Sequence, residues 1–379
     1  MDNTCNWDII ESFVDSQEND NVNNLFDFSS AKFIAISSQS LWANYFLKQL
    51  SAHINFTGQY DENFNKEYGA SLSFLNLLEI IQFSKKEKVI LVDFSRIPYE
   101  RDFNRFFAKK NNIRHLDYTE LMTYFDITQM YESPSESKQK TLNHLNEYKG
   151  MYELFDDELS KSTFIGYLMA RLSGNRKYLY PFFATPDNEY FSLHKDGDGF
   201  HLMNNEHFVD VGAYTGDTIY KFLTCCNFSY EGIDAFEPDT KNFYQLRHVK
   251  FIDPLNIKLH NKGVGDKNEV INFNHLGLSG FDPNTSIKNH AEIAFVTLDD
   301  AVEKMTLLKV DVEGTEDLVI NGGKNLIISN KPRIAAACYH HSDNLLKILK
   351  SILELDVGYK FKLRHYSSYI GDTCLYAEV

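Results

Sequence analysis

Cysteine is scarce in this chain and irregularly placed. Five occur, at Cys5, Cys225, Cys226, Cys338 and Cys374, with no CxxC spacing and an odd total. This argues against a disulfide framework or a thiolate metal site and predicts a reduced, cytoplasmic setting. The adjacent Cys225 and Cys226 read as helix residues rather than ligands. Positive charge is also short, since 38 Lys and Arg face 53 Asp and Glu for a formal net charge of -15. Nucleic-acid backbones select basic surfaces, so they are excluded as the main partner. Long hydrophobic runs are missing too. No uncharged apolar stretch approaches the roughly 18 residues of a membrane span, and the longest, such as Arg333 to Tyr339, are strand-sized. The opening MDNTCNWDIIESF carries acids and no Lys or Arg, which predicts no signal peptide.

What is present is the composition of a packed globular protein, 43% apolar and 24% charged. A length of 379 residues favours two cores. Short apolar runs at Lys32 to Ser37 and Lys88 to Phe94 alternate with helical patterns at Leu41 to Leu50 and Ala70 to Phe83, which predicts a small N-terminal α/β domain over residues 1–125. Its first strand runs into SSQSLWAN, where a dinucleotide site would need glycine, so no such cofactor is expected there. The polar ESPSESKQK from Glu132 to Lys140 reads as a linker or loop. It opens a helical connector over residues 126–189, in which Ile165, Leu168, Met169 and Leu172 form a core-facing stripe ended by Gly174. From Phe208 onward βα alternation predicts a mostly parallel sheet covered on both faces. The last two apolar runs, YKFKLRHY and DTCLYAEV, lack an intervening helix and predict an antiparallel edge pair.

The chemistry concentrates in this second half, residues 190–379. VDVGAYTGDT puts Asp210 at a strand end, then Gly212 and Gly216 in a turn opening a helix, whose free N–H groups suit a carboxylate. A plain tight turn would look the same. The next strand ends in Glu237-Pro238-Asp239, about twenty residues on, where an acid can accept both hydrogen bonds of a ribose diol. Gly263-Val264-Gly265-Asp266 is suited to flank an adenine, or Asp266 is only a turn residue. The strand Leu307 to Val312 delivers Asp311 and Glu313 to the same edge. Glu313 and Glu316 would equally favour the first turn of the next helix.

The ordered set VDVGAYTGDT, FEPD, VTLDD, LLKVDVEGTEDLVINGG and KPRIAAACYHH resembles the FkbM family of methyltransferases over roughly Tyr190 to Val379. The resemblance implies a class I, Rossmann-like doubly wound fold and S-adenosylmethionine as methyl donor. It also implies transfer to hydroxyls of sugars or natural products, often in glycan biosynthesis. By resemblance Asp210, Gly212, Ala213, Tyr214, Gly216, Asp217 and Thr218 form the methionine-side loop, Glu237 and Pro238 the ribose side, and Asp266 an adenine-side position, with Asp311 also at the cofactor. The N-terminal region resembles an accessory domain of some family members, without a motif that assigns it an activity.

Methyl transfer from a sulfonium needs alignment and a base for the acceptor hydroxyl. His340, after the strand Arg333 to Tyr339, is the expected base beside Asp311, with His365 as the fallback. Glu313, His341, Arg364 and Tyr366 are candidates for holding the acceptor, although these histidines could also be plain loop residues and LRHY could simply cap an edge strand. Asp311 and Glu313 near a histidine would permit a divalent metal, which the resemblance does not require. A natural-product acceptor and a non-catalytic scaffold that kept the fold are the alternative readings. The oligomeric state, homo-oligomer included, stays open.

Overall fold

The computed structural model describes residues 7–19, 28–61, 72–129, 131–249, 256–272 and 292–379. Cys5, the start of the expected helix at Ala70 and the end of EVINFN lie outside them. The chain divides into two units.

Unit 1 comprises residues 1–143, 165–181 and 368–370. Its sheet has the order β2-β1-β3-β4, all parallel, from β1 (Lys32–Ile36), β2 (Phe56–Tyr60), β3 (Val89–Asp93) and β4 (Arg114–Asp117). Side chains alternate between two apolar layers. Phe33, Ala35, Ile90 and Val92 enter one cluster, and Ile34, Ile36, Val89 and Leu91 the other. Both faces are therefore covered, as a parallel sheet requires. The helix expected over Ala70 to Phe83 spans Leu77–Ser84, fixed by a capping box between Asn76 and Glu79. The expected loop at ESPSESKQK is instead a helix, Pro134–Asn143. Pro134 stands at its first position, where a missing N–H costs nothing, while Ser133 and Glu136 exchange hydrogen bonds across its start.

Unit 2 comprises residues 144–164, 182–367 and 371–379. A short parallel pair, β5 (Phe191–Ser192) and β6 (Phe200–His201), precedes the main strands β7 (Glu206–Val211), β8 (Tyr230–Phe236) and β9 (Ile257–His260). A three-stranded sheet follows, from β10 (Gly263–Val264), β11 (Glu269–Asn272) and β12 (Glu292–Val296). Then come β13 (Leu307–Val310), β14 (Arg333–Ala337), β15 (Lys360–His365) and β16 (Thr373–Glu378). The main sheet runs β15-β16-β14-β13-β7-β8-β9, parallel except for β16, which is antiparallel to both its neighbours. Its core is aromatic: Phe208 of β7 stacks on Phe222 of the helix Asp217–Cys225 with centroids 4.6 Å apart, and Phe191 packs edge-on against both. Parallel strands send all their carboxyl ends to one edge, which is where ligands bind in open α/β sheets.

At the carboxyl edge of unit 1 the buried Arg176 donates from Nε to both Asp117 oxygens, at 3.0 and 2.9 Å, and from Nη1 to the carbonyls of Ser95 and Ser368. Burial alone would raise Asp117, but Arg176 and Thr119 hold it below the usual carboxylate range. Its stabilisation is thus present above that range and lost as pH falls through it. Arg176→Met leaves the buried Asp117 with only the more distant Arg101, 3.9 Å away, and should cost about 3–5 kcal/mol. Both tryptophans, Trp7 and Trp42, lie in unit 1, so fluorescence-detected denaturation reads the loss directly. An unchanged midpoint would show that the pair carries no such weight.

Candidate functional site

The carboxyl edge of unit 2 encloses a cavity of about 280 Å³. One wall comes from the turn after β7. Gly212 takes φ +85°, and a Cβ there would lie 1.9 Å from the Asp311 carbonyl oxygen, so the turn passes the end of β13 only as glycine. The close approach that demands glycine is thus to the neighbouring strand. Tyr214 follows at φ +47°, a region non-glycine residues rarely visit, with its N–H donated to Glu237 Oε2 at 2.9 Å. The other oxygen of Glu237 accepts the Asp239 N–H at 2.8 Å. Burial pushes Glu237 up to about 7 despite these two donors.

The floor rests on an ion pair between neighbouring strands. Lys309 of β13 stands directly opposite Asp210 of β7, and its Nζ lies 3.2 Å from Asp210 Oδ1 and donates to the Gly212 carbonyl at 2.6 Å. Although burial disfavours its charge, the Asp210 and Asp311 carboxylates raise Lys309 above its ordinary range. Asp210 is fully buried and is itself raised by that burial.

The third wall is acidic. Asp311 accepts from Tyr190 Oη at 3.0 Å, and His340 Nε2 lies 3.3 Å from Asp311 and 3.5 Å from Glu313. The other ring nitrogen, Nδ1, lies 3.0 Å from Glu316. Burial opposes charge on His340, yet Glu316 and Asp311 raise it well above its ordinary value. Burial would raise Asp311, whereas the His340 hydrogen bond and Lys309 hold it down at about 2. Glu189 behaves oppositely. Burial, followed by the charges of Asp372 and Asp311, pushes it up to about 8.

Of the residues expected from sequence, Gly212, Tyr214, Asp217, Thr218, Glu237, Pro238, Asp311 and Glu313 line the cavity together. Asp210, Ala213, Gly216 and Asp266 are not among the described lining residues; Asp210 acts from beneath. His340 lies behind the acids, 2% exposed, with both ring nitrogens turned to carboxylates. His340 is thus placed behind the cavity's acids and not among its described lining residues, where a base for the acceptor hydroxyl was expected. His341 packs against Gly314, whose added Cβ would meet its ring at 2.5 Å. The LRHY residues belong to the framework of β15. Arg364 bonds Asp198 and Ser160, His365 Nδ1 lies 3.0 Å from Thr373 Oγ1, and Tyr366 meets the Tyr376 hydroxyl at 2.7 Å. None of the three lines the cavity among the described residues, so the structure does not bring the fallback base His365 or the acceptor candidates Arg364 and Tyr366 to it.

Sequence reasoning missed Glu189, Tyr190, Lys309, Tyr339 and Asp372 in the lining. Lys309 had a signal, as a lysine inside an apolar strand run must find a buried partner. For a metal, Asp311, Glu316 and His340 each place one ligand atom within 4.8 Å of the others. The imidazole, however, addresses Asp311 and Glu316 with opposite nitrogens, whose lone pairs diverge. The set reads as a carboxylate–imidazolium–carboxylate chain.

Residues 210–361 match the family model described as the methyltransferase FkbM domain. Among solved structures, a methyltransferase FkbM from Methylobacillus flagellatus KT matches over 92% of this chain and 90% of its own, with a TM-score of 0.71 and 18% identity. A precorrin-6y C5,15-methyltransferase from Geobacter metallireducens GS-15 matches over 47% of this chain and 82% of its own, with a TM-score of 0.31 and 14% identity. No curated protein matches. Residues 210–361 are thus similar to a methyltransferase FkbM domain, and the α/β fold with its mixed sheet is shared with a solved FkbM methyltransferase.

Proposed function

We propose that unit 2 is a class I, Rossmann-like methyltransferase that uses S-adenosylmethionine (EC 2.1.1.-) to methylate a sugar hydroxyl in glycan biosynthesis. The observation that carries the reading is the cavity at the carboxyl ends of β7, β8 and β13, with a high-set Glu237 at one side and a cluster of acids at the other. When bound, the cofactor supplies an electrophilic methyl group for in-line displacement. Glu237 suits its ribose diol because an ionised carboxylate still has lone pairs after accepting two backbone N–H groups. Gly212, Tyr214, Asp217 and Thr218 would hold the methionine side. A neutral, hydroxyl-rich acceptor suits Asp311, Glu313 and Asp372, which can accept from its hydroxyls. Anionic groups would be repelled from this wall, so any phosphate the acceptor carries should lie away from it.

The base in this reading is Glu189. With its carboxyl pushed up to about 8, Glu189 becomes a carboxylate able to take a hydroxyl proton as pH rises toward 8, while its neighbour Asp311, held near 2, stays ionised throughout. Lys309 and His340 keep Asp311 charged, so it orients the acceptor rather than trading protons.

Glu237 sets a pH dependence. Diol donors favour the ionised form, so cofactor affinity should rise as pH increases through about 7 and fall below it, with proton release on binding. In the absence of cofactor the sign reverses: a carboxyl raised by folding lends stability below its ordinary range, lost as pH rises toward 7. Calorimetric titration at pH 6 and 8 should show the difference, and Glu237→Gln should flatten it while weakening binding by about ten- to a hundred-fold. A pH-independent constant unchanged in the variant removes Glu237 from the site, and no binding at all removes the methyltransferase reading.

Glu189→Gln, tested on an acceptor found by screening sugar nucleotides and lipid-linked glycans, should lower kcat by about 10²–10⁴ with cofactor affinity unchanged. The parent's kcat should rise with pH toward about 8 and the variant's should not. Turnover at the parent rate would exclude Glu189 as the base.

A further inference from the structure

The helix Pro98–Lys110 of unit 1 is built inside out. Its buried face carries Arg101, Asn104 and Ala108, while Tyr99, Phe103 and Phe106 are 75%, 46% and 63% exposed. The polar face is consumed internally. Asn104 donates to Ser37 and Asp93, and the Arg101 guanidinium lies 3.7 Å from the centre of the Tyr180 ring. The spacing i, i+4, i+7 stacks the three outward rings into one stripe along the helix, and Lys110, four residues beyond Phe106, continues it. Nothing in the core of the unit calls for aromatics on that side.

The stripe runs into a cationic edge. Lys32 starts β1, Lys88 precedes β3 and Arg114 starts β4, all exposed, and the pairings Lys32↔Val89 and Ile90↔Arg114 place these ends side by side. The turn before β3 adds exposed Lys85 and Lys86, against one acid, Glu87. The helix end adds exposed Lys109 and Lys110. Seven cations therefore gather at the amino edge of one four-stranded sheet, in a chain whose formal charge is -15.

We infer that this ring stripe and its cationic edge dock on the surface of an anionic lipid bilayer. Aromatic rings on an exposed helix, flanked by Lys and Arg, are the composition that seats a helix at the boundary of headgroups and acyl chains. The cations supply the attraction to anionic headgroups. A second copy of the chain meeting this face across a two-fold axis would set cations against cations. A nucleic-acid strand is held in grooves lined by rings, whereas this stripe stands on a convex helix. The inference is independent of the reaction assigned to unit 2.

The test is co-sedimentation of the full chain with phosphatidylcholine vesicles, with and without phosphatidylglycerol, at low and high salt. The chain should sediment with the anionic vesicles at low salt only. The triple variant Tyr99→Ser, Phe103→Ser, Phe106→Ser and the variant Lys85→Glu, Lys86→Glu, Lys109→Glu, Lys110→Glu should each weaken this by about tenfold or more with unchanged melting temperature. Absence of binding, equal binding to both vesicles, or parent-like binding by folded variants would overturn the assignment. A single-stranded oligonucleotide that binds the chain and displaces it from vesicles would reassign the face to nucleic acid. A dimer in light scattering that the triple variant dissociates would reassign it to self-association.

Discussion

The buried pair of Lys309 and Asp210 underlies the cavity of unit 2. The two residues face each other across β13 and β7, and the strands on either side present Ala335 and Ala235 in the same row. Small neighbours leave room for a long charged side chain where a sheet interior would otherwise hold Val or Leu. The pair has to be sealed in good geometry, because a lone buried charge is costly whereas a satisfied one can be kept for specificity. Lys309 spends a further hydrogen bond on the Gly212 carbonyl, so the cation that neutralises Asp210 also pins the turn that shapes the cavity. Its charge reaches Asp311 as well, which couples the floor to the acidic wall.

A second buried chain holds that wall. Glu316 Oε1 accepts the N–H groups of Val312 and Gly314, and Oε2 accepts from Asn344, which leaves the carboxylate fully engaged against His340. The turn it braces is unusual, with Glu313 at φ +63° and Gly314 at φ +105°. Such backbone persists only where surroundings overdetermine it. Gly314 leaves space for the His341 ring, so the histidines and the strained turn require each other. His340, between Glu316 and the cavity acids, fits this role: its two ring nitrogens face carboxylates on either side, and it lowers Asp311 and Glu316.

Much of this was legible in the sequence, and the reasons differ by residue. The turn after β7 and the place of Glu237 beside it could be read because a strand end, paired glycines and an acid about twenty residues on are local features, even though a plain tight turn shares the pattern. His340 could be placed near Asp311 from strand order, yet its proton state depended on Glu316, whose partner in space a linear pattern does not name. Arg364, His365 and Tyr366 were drawn to the site by chemistry alone. On a buried strand each found a structural partner instead, Ser160, Thr373 and Tyr376. Glu189 gave no signal because it follows the short turn Pro186–Asn188, outside any periodic element.

The two units share a parallel sheet edge, strands ending together beneath helix starts, and along the edge of unit 1 the described polar groups bond to one another. The Gln39 N–H after β1 is taken by the Asp61 carboxylate at 2.8 Å, and Ser40 caps the following helix. Asp93 accepts from Asn104 and the Ser95 N–H and lies 2.8 Å from His115, and Asp117 is held by Arg176. Donors at this edge are thus spent on internal carboxylates. In unit 2 the corresponding acid, Glu237, keeps one oxygen on each of two backbone donors and faces a cavity, and Gly212 lets the turn pass close to the next strand.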